Sequence, residues 1–169
     1  MTDYFDMSQE MGPCILGIDP GLSGALGFYF PAVQRVALED LPVADGAINA
    51  PALANRIRAF KPAMVVLELV HSMPKQGVAS TFKFGMSFGE VRGVIGALGI
   101  PLYLVTPQKW KKHYRLSSDK EESRAMAIRL FPNNADRLQR KKDDGRAEAA
   151  LLAKYGAESL FDWKAYAAA

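Results

Sequence analysis

The sequence is poor in the residues that build crosslinks and soft-metal sites. It has one cysteine, Cys14, and two histidines among 169 residues. A single thiol excludes an intrachain disulfide and any multi-cysteine zinc site, and it fits a reducing compartment. Long apolar runs are also lacking. The longest, residues 93–105, is too short to span a bilayer and contains Pro101. Residues 1–13 carry Asp3, Asp6 and Glu10 where a signal peptide would need an apolar core. The expectation is a soluble, intracellular protein with no membrane partner. An apolar share of 49% and a charged share of 23% argue against disorder and fibrous repeats. The length suits one domain, which at this size buries about 70% of its unfolded surface and needs no staple.

Net charge is small, +3, but unevenly placed. Between residues 107 and 146 there are twelve Lys/Arg against six Asp/Glu, so this block is +6 and the remainder −3. A basic block on a near-neutral body is the usual footprint of a phosphate-backbone binder, although a solvated lysine-rich surface has the same charge. Trp110, His113 and Tyr114 are interleaved with Lys109, Lys111 and Lys112. Stacking groups among cations suit nucleic acid better than plain solvation.

Three strand-like runs come first, at residues 14–19, 25–30 and 34–40, with turn signals at Pro20-Gly21 and Pro31. Leu53, Ile57 and Phe60 predict a helix over about 50–60. Residues 64–70 (MVVLELV) read as a strand covered on both faces. Phe84, Phe88, Val91, Ile95 and Leu98 predict an amphipathic helix over 80–98 that Gly99 stops. A fifth strand is expected at 101–105. Ser118 with Glu121 resembles a capping box that opens a helix ending before Pro132. A last helix is expected over 144–155, stopped by Gly156. That order implies an α/β fold, a mixed sheet with helices on its faces. Phe161, Trp163 and Tyr166 offer the C-terminal segment a way to dock on the body or to meet a partner.

Two carboxylates stand where a core strand should have none. Glu68 lies inside MVVLELV and Asp19 closes the first apolar strand, and an unpaired buried charge costs several kcal/mol. Either acid alone reads equally well as a strand end facing water. If strands one and four are parallel neighbours, both emerge at the carboxyl edge, where open α/β sheets bind ligands. Two adjacent acids then repel unless a cation or proton lies between them. Asp144 and Glu148, four apart, share a helix face, with Asp143 at its mouth. Capping accounts for Asp143 and Asp144 but not for Glu148. An all-oxygen cluster selects hard cations such as Mg²⁺ or Mn²⁺.

Four blocks, in order, carry a resemblance. They are Ile18-Asp19-Pro20-Gly21 with Ser23-Gly24, Val66-Leu67-Glu68, residues 106–111 (TPQKWK), and residues 142–149 (KDDGRAEA). Together they resemble the RuvC-like Holliday junction resolvases of the ribonuclease-H-like superfamily, phage and bacterial type, over about residues 14–156. The resemblance implies a ribonuclease-H-like mixed five-stranded sheet, its first three strands antiparallel and its last two parallel to the first. The nuclease domain would occupy residues 13–156, between an N-terminal extension (1–12) and a C-terminal tail (157–169).

The implied activity is Mg²⁺-dependent hydrolysis of Holliday or other branched DNA, leaving 5′-phosphate and 3′-hydroxyl ends. The implied cofactor is two Mg²⁺ ions, for which Mn²⁺ would substitute. The implied setting is the cytoplasm of a bacterial or phage-infected cell, and the implied assembly a homodimer. Asp19, Glu68, Asp144 and Glu148 fall on the family's metal-binding acids. The last pair is spaced four apart, which leaves Asp143 and Asp144 as alternatives for the third ligand. Lys111 and Lys120 are the nearest matches to the family's basic residues at the scissile phosphate, with Lys120 counted among the catalytic set. His71 stands where cellular members carry an aromatic at the junction centre. Lys75, Lys83, Lys109, Trp110, Lys112, Lys141, Lys142 and Arg146 complete the expected DNA-binding set.

Three other readings share some of these features. A nuclease acting on flaps or RNA needs the same acids. A non-catalytic nucleic-acid-binding module explains the basic block but not Asp19 and Glu68. An actin-like ATPase shares the first turn but needs a second lobe that 169 residues cannot supply.

Overall fold

The computed structural model describes residues 11–69 and 77–168. Five strands form one sheet: β1 (Ile15–Asp19), β2 (Ala25–Phe30), β3 (Arg35–Asp40), β6 (Met64–Glu68) and β7 (Leu102–Val105). Their spatial order is β3-β2-β1-β6-β7. β2 is antiparallel to both β1 and β3, whereas β6 runs parallel to β1 and to β7. This is the expected mixed sheet. A two-stranded hairpin, β4 (Val43–Ala44) with β5 (Ala47–Ile48), is an addition to the expected elements, and it turns at Asp45-Gly46, both at positive φ.

Helices cover both faces. On one side α1 (Ala50–Phe60) and α2 (Val78–Ala97) meet Leu16, Ile18, Val65 and Leu67. On the other, α5 (Asp144–Ser159) meets Ile15, Met64 and Val66. Side chains alternate along a strand. The α5 side therefore receives positions 15, 17 and 19 of β1 and positions 64, 66 and 68 of β6. Asp19 and Glu68 are each the final residue of their strand, so they face α5 rather than α1.

The approach of α5 is unusually close. Gly17 and Gly27 are register partners on β1 and β2. A Cβ on Gly17 would stand 2.2 Å from the Ala149 carbonyl oxygen, and one on Gly27 2.8 Å from the same atom. Only glycine leaves room for the helix backbone at that distance. Ala149, Ala150 and Ala153 fill the contact, each fully buried.

The remaining helices are α3 (Pro107–His113), α4 (Lys120–Leu130) and α6 (Trp163–Ala167), with 3-10 turns at Pro132–Arg137 and Lys141–Asp143. Several boundaries differ from expectation. Gly156 does not end the last helix, which continues to Ser159, because Gly156 packs directly under Val66 and Ile15. Asp119, not Ser118, caps α4 by accepting from the Glu121 amide. The Glu122 carboxylate accepts from the Ser117 amide at 2.7 Å. The expected stripe on α2 turns inward, with Val91 and Ile95 fully buried and Phe84, Phe88 and Leu98 half-buried, while Val78 and Phe82, which lie off that stripe, are 87% and 68% exposed. Phe161 and Trp163 pack against the core, and the Trp163 indole donates to the Ala157 carbonyl at 2.8 Å. Residues 157–163 thus pack on the body. Among the described residues, no helix is long and apolar enough to cross a membrane.

Candidate active site

The parallel register of β1 and β6 pairs Ile18 with Leu67, which leaves Asp19 and Glu68 side by side at the carboxyl edge. Glu148 reaches them from the second turn of α5. One carboxylate oxygen from each of Asp19, Glu68 and Glu148 lies within 4.8 Å of the other two. Glu68 and Glu148 are buried, at 5% and 6% exposure. Three acids at this distance repel strongly in a low dielectric. Burial, reinforced by the charges of Glu68 and Glu148, pushes the Asp19 carboxyl up to about 8, against the pull of Lys120 and Lys111. Burial likewise raises Glu68, opposed by its hydrogen bond from Trp110.

Two bases face the cluster. Lys111 Nζ lies 3.0 Å from Glu148 Oε1. Lys120 Nζ lies 3.4 Å from Asp144 Oδ2. Burial pulls the Lys120 ammonium down, but Glu148, Asp144 and Asp19 outweigh it and hold it above the usual lysine range.

Asp144 stands one helical turn before Glu148, beside the three-acid cluster rather than in it. Arg124 Nε is 3.8 Å from its Oδ1, and that oxygen is buried without a hydrogen-bond partner among the described residues. Arg124 itself is buried and pairs with Glu121. Its place near the site was not recognised in the sequence. The available signal is its spacing of four from Lys120, which puts both on one face of α4.

Asp143 points elsewhere. Its carboxylate accepts from the Arg140 amide at 3.0 Å and from the Arg140 guanidinium at 2.9 Å, and Arg146 is 3.6 Å away. The hydrogen bonds from Arg140 hold its carboxyl below the usual range. Asp143 thus ties the turn before α5 and is not brought to the acid cluster.

The basic residues also sort themselves. Trp110, expected to stack on nucleic acid, is fully buried, and its indole donates to Glu68 Oε1 at 2.9 Å. An apolar ring next to β6 gains more from burial than from exposure. Arg146, expected on DNA, is clamped by Asp40 at 2.7 and 2.6 Å. Lys83, Lys109, Lys112, Lys141 and Lys142 are exposed. His71 and Lys75 lie outside the described residues. Beside the site runs a groove of about 700 Å³, lined by Pro107, Gln108, Lys111, Lys112, Arg115, Leu116, Ser117 and Ser118. Three of these are cationic and none is acidic.

The donor set suits a hard divalent cation. It is all oxygen, it is crowded with like charge, and a buried oxygen of Asp144 beside it lacks a partner. Asp19, Glu68 and Glu148 would hold such an ion, with Asp144 next to them.

A five-stranded sheet of this order flanked by helices is the ribonuclease-H-like fold. The chain shares that fold with the RuvC-type Holliday junction resolvases. RuvC of T. thermophilus, solved in complex with a Holliday junction substrate, is 20% identical with a TM-score of 0.62, over 86% of this chain and 95% of that one. The fowlpox virus Holliday junction resolvase is 15% identical with a TM-score of 0.53, over 88% and 99%. The yeast mitochondrial resolvase Ydc2 is 16% identical with a TM-score of 0.51, over 83% and 77%. No family model and no curated protein matches the sequence.

Proposed function

We propose that this protein is a divalent-metal-dependent endonuclease that cuts branched DNA, with the four-way junction as its preferred substrate. The observation that carries the reading is the convergence of Asp19, Glu68 and Glu148 beside an acid-free cationic groove. Its fold neighbours are named as Holliday junction resolvases, one of them holding its junction substrate.

Asp19, Glu68, Glu148 and Asp144 would hold two Mg²⁺ ions, which would supply an activated water and charge stabilisation for the leaving 3′-oxygen, giving 5′-phosphate and 3′-hydroxyl ends. The side chains have their own tasks. Asp19, Glu68 and Glu148 concentrate negative charge at one point of a half-buried pocket, which makes it a cation trap. Asp144 extends that donor set by one helical turn. Lys111 and Lys120 orient the scissile phosphate and offset the charge that develops on it. Lys112 and Arg115 carry the strand along the groove, and Lys109, Lys141 and Lys142 are further exposed cations.

A two-fold assembly suits a two-fold junction, because paired sites then nick opposed strands. Val78, Phe82 and Met86 form an exposed stripe at spacing four along the first half of α2, and this stripe is the proposed dimer face.

The deciding experiment offers four-way junction, flap, fork and duplex substrates with and without Mg²⁺. Mg²⁺-dependent paired nicks in the junction are expected, with little cutting of duplex. Asp19→Asn and Glu68→Gln should abolish the nicks while junction binding persists. Cleavage by either variant near the wild-type rate would overturn the site, and metal-independent binding without cutting would leave a binding module.

A further inference from the structure

Helix α3 begins at Pro107, two residues past β7, and β7 is hydrogen-bonded to β6 with Val105 opposite Glu68. The helix therefore starts next to the acid site. Two consecutive residues on it touch two different acids: Trp110 the Glu68 carboxylate and Lys111 that of Glu148. The two contacts differ in kind. The lysine is a cation, so any metal entering the cluster competes with it. The indole is neutral and donor-only, so it can hold its carboxylate while a metal is bound.

Trp110 is fully buried, and its ring packs in the core cluster beneath α5. A buried indole needs an acceptor for its N–H, and here that acceptor is a carboxylate at the end of a strand. Glutamate has three side-chain torsions, and its terminal one is broad. A hydrogen bond at 2.9 Å to one oxygen fixes the carboxylate plane and leaves the other oxygen's lone pairs uncommitted by the indole.

We infer that Trp110 is a positioning residue for the acid cluster: its indole N–H sets the orientation in which Glu68 meets a cation shared with Asp19 and Glu148. This inference rests on the metal-dependent reading of the site. Partners that orient metal-binding carboxylates are worth about 10- to 100-fold in metal affinity.

Trp110→Phe removes the N–H and keeps an aromatic ring in the same pocket. Mn²⁺ binding to wild type and variant, followed by calorimetry on the full chain, gives the first measurement. The expected result is an affinity about 10- to 100-fold weaker in the variant, with an unchanged circular dichroism spectrum. Equal affinity in the two proteins overturns the role of Trp110 alone. Failure of the wild type itself to bind Mn²⁺ overturns the metal-dependent reading beneath it.

A second measurement does not require Trp110→Phe to fold. The chain has two tryptophans, so Trp163→Phe leaves Trp110 as the sole indole. Saturation with Mg²⁺, a diamagnetic ion, should shift its emission, because the carboxylate that accepts its hydrogen bond gains a positive neighbour. Unchanged emission in a protein that calorimetry shows to bind Mg²⁺ overturns the inference.

Discussion

Lys111 Nζ lies 3.0 Å from Glu148 Oε1, with only 13% and 8% of the two side chains exposed. The lysine thus sits against the acid cluster as a tethered counter-ion. Removing one partner of a buried pair leaves the other uncompensated. Lys111→Met should lower the stability of the metal-free protein by about 3 kcal/mol and tighten Mn²⁺ binding, because the competing cation is gone. Junction cleavage should fall in the same variant. Thermal melts with and without Mn²⁺ check the first two effects, and weaker Mn²⁺ binding would remove the lysine from that seat.

Without divalent ions, stability should decline as pH rises from about 5 to 8. The Asp19 carboxyl is raised from 3.8 to about 8 and Glu68 is raised as well, so between the unfolded and folded values the native state binds more protons. The stabilisation is therefore complete at the acid end of that window and is lost as pH passes through the folded values. Asp143, lowered by Arg140, works in the opposite sense, its contribution falling away only below the ordinary carboxyl range. Saturating Mg²⁺ should flatten the slope, since the cation replaces the proton. A metal-free melting temperature that climbs from pH 5 to 8 would contradict this.

The neighbours Asp143 and Asp144 should separate cleanly on substitution. Asp143→Asn weakens the tie to Arg140 and Arg146, and it should reduce the melting temperature while folded protein still cuts. Asp144→Asn should fold normally and lose cleavage by at least about tenfold, the scale of an orienting shell around a metal. Parallel melts and single-turnover assays distinguish them, and the reverse pattern would exchange their roles.

Gly17→Ala should be severe for a one-carbon change. Overpacking a filled core costs about 1–3 kcal/mol and sometimes more, and here the added carbon meets helix backbone at 2.2 Å. A loss near or above the top of that range is expected from denaturant titration. A loss below about 1 kcal/mol would mean that α5 can lift from the sheet freely.

The sheet was readable because its strands are short apolar runs punctuated by Pro and Gly, and because strand alternation carries Asp19 and Glu68 to one face. The acid cluster was readable for the same reason: charges inside apolar strands stand out. Less could be seen where an answer depended on partners far away in the chain. Nothing local marks Trp110 as buried, since its neighbours Lys109, Lys111 and Lys112 describe a wet surface. Arg146 looks like a DNA contact until Asp40, 106 residues earlier, is found beside it. Asp143 and Asp144 look equivalent until Arg140 claims one of them. Gly156 reads as a stop only if the sheet beneath it is ignored.

The three acids are supplied in the order 19, 68, 148, and the last comes on the helix that also closes the β1–β2 face. A ribosome-bound chain that has not yet released α5 lacks both the third acid and half of its core. On the proposed reading, such a nascent chain would have no assembled acid cluster, and any cutting of DNA would await complete folding.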